Sequence, residues 1–197
     1  MKNLRWILFI WAAFLAVSCA NQPQGDTKDT AEQVEHDHSA TTSSGSSLSP
    51  RKAAMANVGD VHVHIDYSSP SVRGRVIWGG LVAYDNVWVS GAHSATSVDF
   101  SKDVLVNGQL VPAGKYAFFT IPGKEKWTVI LNKNYEQHLA DDYDPAEDVL
   151  RFEVVPTVLD EQVESLTYQV LPSLGGAGAI SLSWDKLAIV IPIKEAT

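Results

Sequence analysis

The hydrophobic rhythm of the chain changes twice. Trp6 through Val17 is an unbroken apolar run, too short to span a bilayer comfortably. From Ala20 to about Pro50 scarcely any large apolar residue occurs, and Thr41 to Ser47 is a low-complexity run of Ser, Thr and Gly. From about Arg51 apolar residues return, and by Val61 they recur with a period of two. Val61, Val63, Ile65 and Tyr67 alternate with His62, His64 and Asp66, which predicts a half-buried strand. Asp103 to Val106 and Gln109 to Val111 flank Asn107-Gly108, a pair that tolerates positive φ and so predicts a hairpin. Further strands are predicted over 115–121, 126–131, 150–155, 165–171, 179–184 and 187–193, separated by Gly and Pro turns. Asp144-Pro145-Ala146-Glu147 has the cap acid and first-position proline of a single helical turn. The expected fold is all-β: an antiparallel β-sandwich, jelly-roll-like, with at most one or two short helical turns.

The first nineteen residues give the chain an address. Lys2 and Arg5 precede the apolar run, which closes on Ala16-Val17-Ser18 and then Cys19. This segment resembles the lipobox of bacterial lipoproteins, in which the cysteine is diacylated and becomes the new N-terminus. The implied organisation is a signal peptide over 1–18, a lipidated Cys19 with a flexible tether over 19–50, and a β-sandwich domain over 51–197. Cys19 is the only cysteine, so an internal disulfide is excluded and the thiol reads as an anchor rather than a nucleophile. The expected location is the cell envelope, with the lipid in the outer membrane and the domain facing the periplasm or the surface. The partners expected are the membrane, through the anchor, and a small molecule or protein of the envelope.

Charge narrows the partners further. The net charge is −8, and both Lys2 and Arg5 fall in the signal segment, so the remainder is more acidic still. Such a chain is repelled by phosphate backbones, which argues against nucleic acid.

Five groups could carry chemistry. His62-x-His64-x-Asp66 places three ligand-type side chains on one face of a strand, with His93 or His138 available to complete a metal set; the alternative is a polar, solvent-facing strand surface. Arg73-Gly74-Arg75, followed by Trp78, Tyr84, Trp88 and His93, offers planar donor forks for carboxylate or phosphate and aromatic faces for stacking. The alternative is that the tryptophans are core and the arginines pair with Asp66 or Asp85. Glu35-His36-Asp37-His38 and Asp141-Asp142-Tyr143-Asp144 read better as a solvated linker and a turn than as metal sites. Gly175-Gly176-Ala177-Gly178 leads into a strand pattern and reads as a turn, not a phosphate cradle. There is no Gly-x-Ser-x-Gly elbow, His-Glu-x-x-His or P-loop.

A family resemblance begins at Asp66-Tyr67-Ser68-Ser69-Pro70-Ser71-Val72-Arg73-Gly74-Arg75 and continues through Ile77-Trp78-Gly79-Gly80 and Val87-Trp88-Val89-Ser90-Gly91-Ala92-His93. It runs on through Phe100-Ser101-Lys102-Asp103, Val111-Pro112-Ala113-Gly114-Lys115-Tyr116, Phe119-Thr120-Ile121-Pro122-Gly123, Trp127-Thr128-Val129-Ile130 and Asp148-Val149-Leu150-Arg151. Together these blocks resemble the bacterial family called domain of unknown function 2911. The resemblance implies secreted or lipid-anchored envelope proteins with no established activity. The chain departs from the family pattern at Ser69 and Val89, where arginine is usual, and at His93, where asparagine is usual.

The expectation from residues and resemblance together is a non-catalytic β-domain that binds a small ligand or a partner and needs no cofactor. Its candidate ligand-binding residues are Asp66, Tyr67, Arg73, Arg75, Trp88 and His93. The competing expectation is a metal-assisted or acid–base hydrolase working from the His62/His64/Asp66 face.

Overall fold

The computed structural model describes residues 47–196. The signal segment, Cys19 and the tether with His36 and His38 lie outside the described residues. Ten strands form two antiparallel sheets: β1 (Arg51–Val58), β2 (Val61–Ser68), β3 (Ser97–Phe100), β4 (Val104–Val106), β5 (Gln109–Val111), β6 (Gly114–Pro122), β7 (Trp127–Asn132), β8 (Asp148–Val154), β9 (Thr157–Pro172) and β10 (Ala177–Glu195). The order is β1-β2-β3-β6-β7-β8 in the larger sheet and β5-β4-β10-β9 in the smaller. The fold is the all-β sandwich expected from the sequence.

The alternation of β2 sets the geometry. Val61, Val63, Ile65 and Tyr67 are buried, while His62, His64 and Asp66 stand on the outer face. Facing side chains from the second sheet, among them Leu166, Tyr168, Ile180, Leu182 and Trp184, close the main core. The Asn107-Gly108 hairpin forms as expected, with φ of 47° and 77° at its two turn residues. The helical turn is the single 3-10 turn Pro145–Glu147, capped by Asp144, whose Oδ1 accepts from the Ala146 N–H at 2.8 Å.

β6 and β7 are covered on both sides, which explains their almost continuous apolar sequence. Phe118 and Leu131 face the main core, whereas Ala117, Phe119 and Ile130 join a second cluster with Val89 and Ala95. Val87, Tyr135, Ala140 and Tyr143 pack on that cluster. Residues of 87–95 and 135–143 therefore cover the outer side of the larger sheet, while Val72, Ile77 and Val82 of the first connection enter the main core.

One expectation is corrected. The segments read as separate strands over 179–184 and 187–193 are one strand, β10. Ile180, Leu182 and Trp184 point inward from even positions, and Ile189, Ile191 and Ile193 from odd ones. The pairing with β9 shifts around Asp185, which has φ of 52°. This bulge changes the phase of the strand, so that both halves keep their apolar faces on the core.

Candidate functional site

Residues 69–96 carry little regular structure, yet they are tightly held. Val72 N–H donates to the Glu164 carbonyl at 2.7 Å, Leu166 N–H donates to the Pro70 carbonyl at 2.9 Å, and the Ser69 hydroxyl donates to the Leu166 carbonyl at 2.7 Å. These bonds clamp the start of the connection to β9. Arg75 follows immediately, its Nε donating to the Val72 carbonyl at 3.1 Å and its Nη2 to the Ser71 carbonyl at 2.6 Å. It pairs with no carboxylate among the described residues. The guanidinium is thus oriented by backbone while part of its donor fork stays uncommitted.

The end of the connection is pinned to β6. Trp88 and Thr120 exchange backbone hydrogen bonds at 2.8 and 3.0 Å. Ser90 is buried at φ of 50°; its hydroxyl bonds Thr120 Oγ1 at 2.9 Å, and its carbonyl accepts from Thr96 Oγ1 at 3.0 Å and Tyr168 Oη at 2.8 Å. Gly91 has no room for a side chain, because a Cβ would lie 2.7 Å from Thr96 Oγ1. His93 follows at φ of 65°, and its carbonyl accepts from Leu139 N–H, a residue itself at φ of 51°. Among the described residues seven non-glycine positions have positive φ, and five of them (Arg73, Asp85, Ser90, His93 and Leu139) fall in the two connections over 69–96 and 133–144. Strain held in place by surrounding bonds concentrates where chains build sites.

These segments enclose a cavity of about 340 Å³, within the range usual for small-ligand sites. Trp88 and Trp184 line it as a stacked pair, 5.8 Å between ring centroids and 19° between planes. Trp78 stands edge-on to both, at 5.8 and 5.9 Å, and packs on Trp127 at 4.6 Å. Trp88 Nε1 donates to the Gly91 carbonyl at 3.1 Å, whereas the buried Nε1 atoms of Trp78, Trp127 and Trp184 have no hydrogen-bond partner among the described residues. Trp127 and Trp184 belong to the main core and Trp78 and Trp88 pack against it, which agrees with the alternative reading of the tryptophans as core. Leu81, Val82, Val89 and Leu139 add apolar wall, and Ser49, Arg75 and His93 supply the polar side chains. No hydrogen bond joins those three side chains among the described residues.

The candidates from the sequence divide. Arg75, Trp88 and His93 meet in the cavity. Tyr67 does not; it is buried against Tyr168, 4.8 Å between ring centroids. Arg73 is exposed, with Nη2 on the Leu48 carbonyl and its N–H on Glu164 Oε1 at 2.9 Å. The alternative in which the arginines pair with Asp66 or Asp85 does not form. Asp66 instead lies 3.3 Å from His64 Nε2 and 4.0 Å from Lys115 Nζ, on the outer face of the larger sheet. His62 Nδ1 is 2.8 Å from Asn57 Oδ1, its ring edge-on to His64 at 6.3 Å. Among the described residues no cluster of three or more His, Cys, Asp or Glu side chains is placed to hold a metal. His138 pairs with Asp141 at 3.3 Å, and Asp144 caps the helical turn.

Two tyrosines near the site have perturbed acidity. Burial raises Tyr168 well above the ordinary phenol range. Tyr143 is raised to about 12, first by burial and then by donating to Asp148 Oδ2, at 2.8 Å. Both phenols are therefore neutral structural donors. Trp184 and Leu139, which complete the cavity, were not singled out from the sequence. The signal for Trp184 was present only as a large aromatic at the break between two apolar runs.

The family model described as "Protein of unknown function (DUF2911)" matches residues 49–193. No curated protein and no solved structure matches the chain.

Proposed function

The chain belongs to the DUF2911 family of proteins of unknown function, and we propose that its β-sandwich is a non-catalytic binding domain for a small molecule with an apolar body and one anionic group. The observation that carries this reading is the meeting of Arg75 and His93 with the stacked pair Trp88 and Trp184 in one cavity, from three separate stretches of chain. Indole faces and the aliphatic wall favour an aromatic or branched apolar body through burial. The uncommitted edge of Arg75 favours a carboxylate, since charge-assisted hydrogen bonds are shorter and stronger than neutral ones. Loop strain and backbone clamps pre-form the cavity, which reduces the ordering cost of binding.

In the same reading the domain is held at the cell envelope by acyl chains on Cys19, with the chain over 19–50 as tether. The short apolar run, the small residues before Cys19 and the low-complexity composition after it support this. The anchor places a binding domain where exported or imported small acids pass.

The test is a titration of the purified chain with a panel of aromatic and branched-chain carboxylates, read by tryptophan fluorescence. Saturable changes with some members, lost in Trp88→Ala while the fold persists by circular dichroism, support the reading. A flat response across the panel overturns it.

A further inference from the structure

A second cavity, of about 360 Å³, shares a wall with the first. Ser94 and His138 are paired in an isolated bridge and line the second cavity, while their chain neighbours His93 and Leu139 line the first. The chemistry on this side of the wall is different. Ser94, Ser97, Arg51, Lys115, Glu136 and Gln137 are all polar, and Tyr135 and His138 provide the rings.

The lining carries charges of both signs, of which Lys115 is paired within the protein. Lys115 Nζ lies 4.0 Å from Asp66 Oδ2 and 5.3 Å from the centre of the Tyr135 ring, and Glu136 shares the lining with Arg51. An anion would meet Glu136, a cation would meet Arg51 and Lys115, and an apolar group would strand several polar side chains without water. A hydroxyl group both donates and accepts, so a ring carrying several of them satisfies this mixed lining. We propose that the cavity beside the Ser94–His138 bridge is a binding site for a neutral polyol of monosaccharide size.

Gln137 gives the proposal a specific contact. It is 5 % exposed, its Nε2 donates to the Asn134 carbonyl at 2.6 Å, and its backbone carbonyl accepts from Ala95 N–H at 3.0 Å. Since Nε2 is committed to a carbonyl, the orientation of the amide is fixed, and Oε1 is left buried without a donor. A hydroxyl is the donor it lacks. Gln137 lines the cavity, and the Ser94–His138 bridge and the Ala95 N–H to Gln137 carbonyl bond hold it there.

The test is amide NMR of the full chain titrated with glucose, galactose, N-acetylglucosamine and inositol, and with inorganic phosphate and citrate as ionic controls. The expected result is a saturable shift of the Gln137 side-chain amide and of the Ser94 and Ser97 amides by at least one polyol. That binding weakens by about tenfold or more, a change of one decade in Kd, in Lys115→Met and in Ser94→Ala. It is unchanged in Arg75→Met, so failure of the first cavity's reading and failure of this one are told apart. No saturation by any polyol, saturation by the ionic controls alone, or unchanged affinity in both second-cavity variants would overturn the proposal.

Discussion

The hydroxyl of Tyr168, on β9, donates to the carbonyl of Ser90 at 2.8 Å, joining the smaller sheet to the strained loop that walls the cavity. Tyr168→Phe leaves that buried carbonyl with Thr96 as its remaining side-chain donor. The expected cost is about 1–2 kcal/mol, read as a lower urea midpoint with an unchanged slope. Carboxylate affinity should fall as well, although Arg75 and the indoles are untouched. An unchanged midpoint would show that this bond does not hold the loop.

Alkaline pH should act through the same kind of group. The folded-state pKa of Tyr143 is raised to about 12 and that of Tyr168 well above its ordinary value. A raised folded pKa favours the protonated phenol in the fold, so its contribution to stability is complete below the unfolded value of about 10. It is lost as pH rises from there through the folded value. Urea midpoints measured across this window should decline, and Tyr143→Phe should flatten the decline. The same slope in the variant would contradict the assignment.

At Asp185 the backbone has φ of 52°, and Oδ1 accepts from Gln162 Nε2 at 2.6 Å. Asp185→Gly relieves the conformation and loses that exposed bond, so stability should stay within about 1 kcal/mol of the parent. Asp185→Val puts a β-branched residue at positive φ and should cost about 1–3 kcal/mol. Circular dichroism and urea titration of the two variants check this order; a valine variant as stable as the parent would contradict it.

Much of this fold was legible because period-two alternation and turn residues are local signals. β2 and the Asn107-Gly108 hairpin are examples. β1 was missed because its Arg51–Val58 sequence is mostly exposed, with Ala and Met where a buried edge would carry larger groups. The first half of β9 was missed for the same reason: Asp160, Glu161 and Glu164 lie on an exposed edge strand that charge protects from pairing. The bulge at Asp185 looked like a turn between two strands, because a phase change in the apolar pattern looks like a break. At the site, Arg75, Trp88 and His93 were legible by residue type. Which of the two arginines served, and that Trp184 joined from β10, depended on contacts far apart in sequence.

The anchor has its own test. Cys19→Ala should abolish incorporation of labelled fatty acid and release the protein from membrane fractions. Continued labelling and membrane association of the variant would contradict lipidation at Cys19.

The most direct test of the binding reading compares an aromatic carboxylate with its own carboxamide by calorimetry on the same preparation. The two ligands match in shape and apolar area and differ only in charge. The expected result is a preference for the carboxylate of about tenfold or more, close to 1.4 kcal/mol, that disappears in Arg75→Met while carboxamide binding persists. Equal affinity for the two ligands, or a preference that survives Arg75→Met, would contradict it.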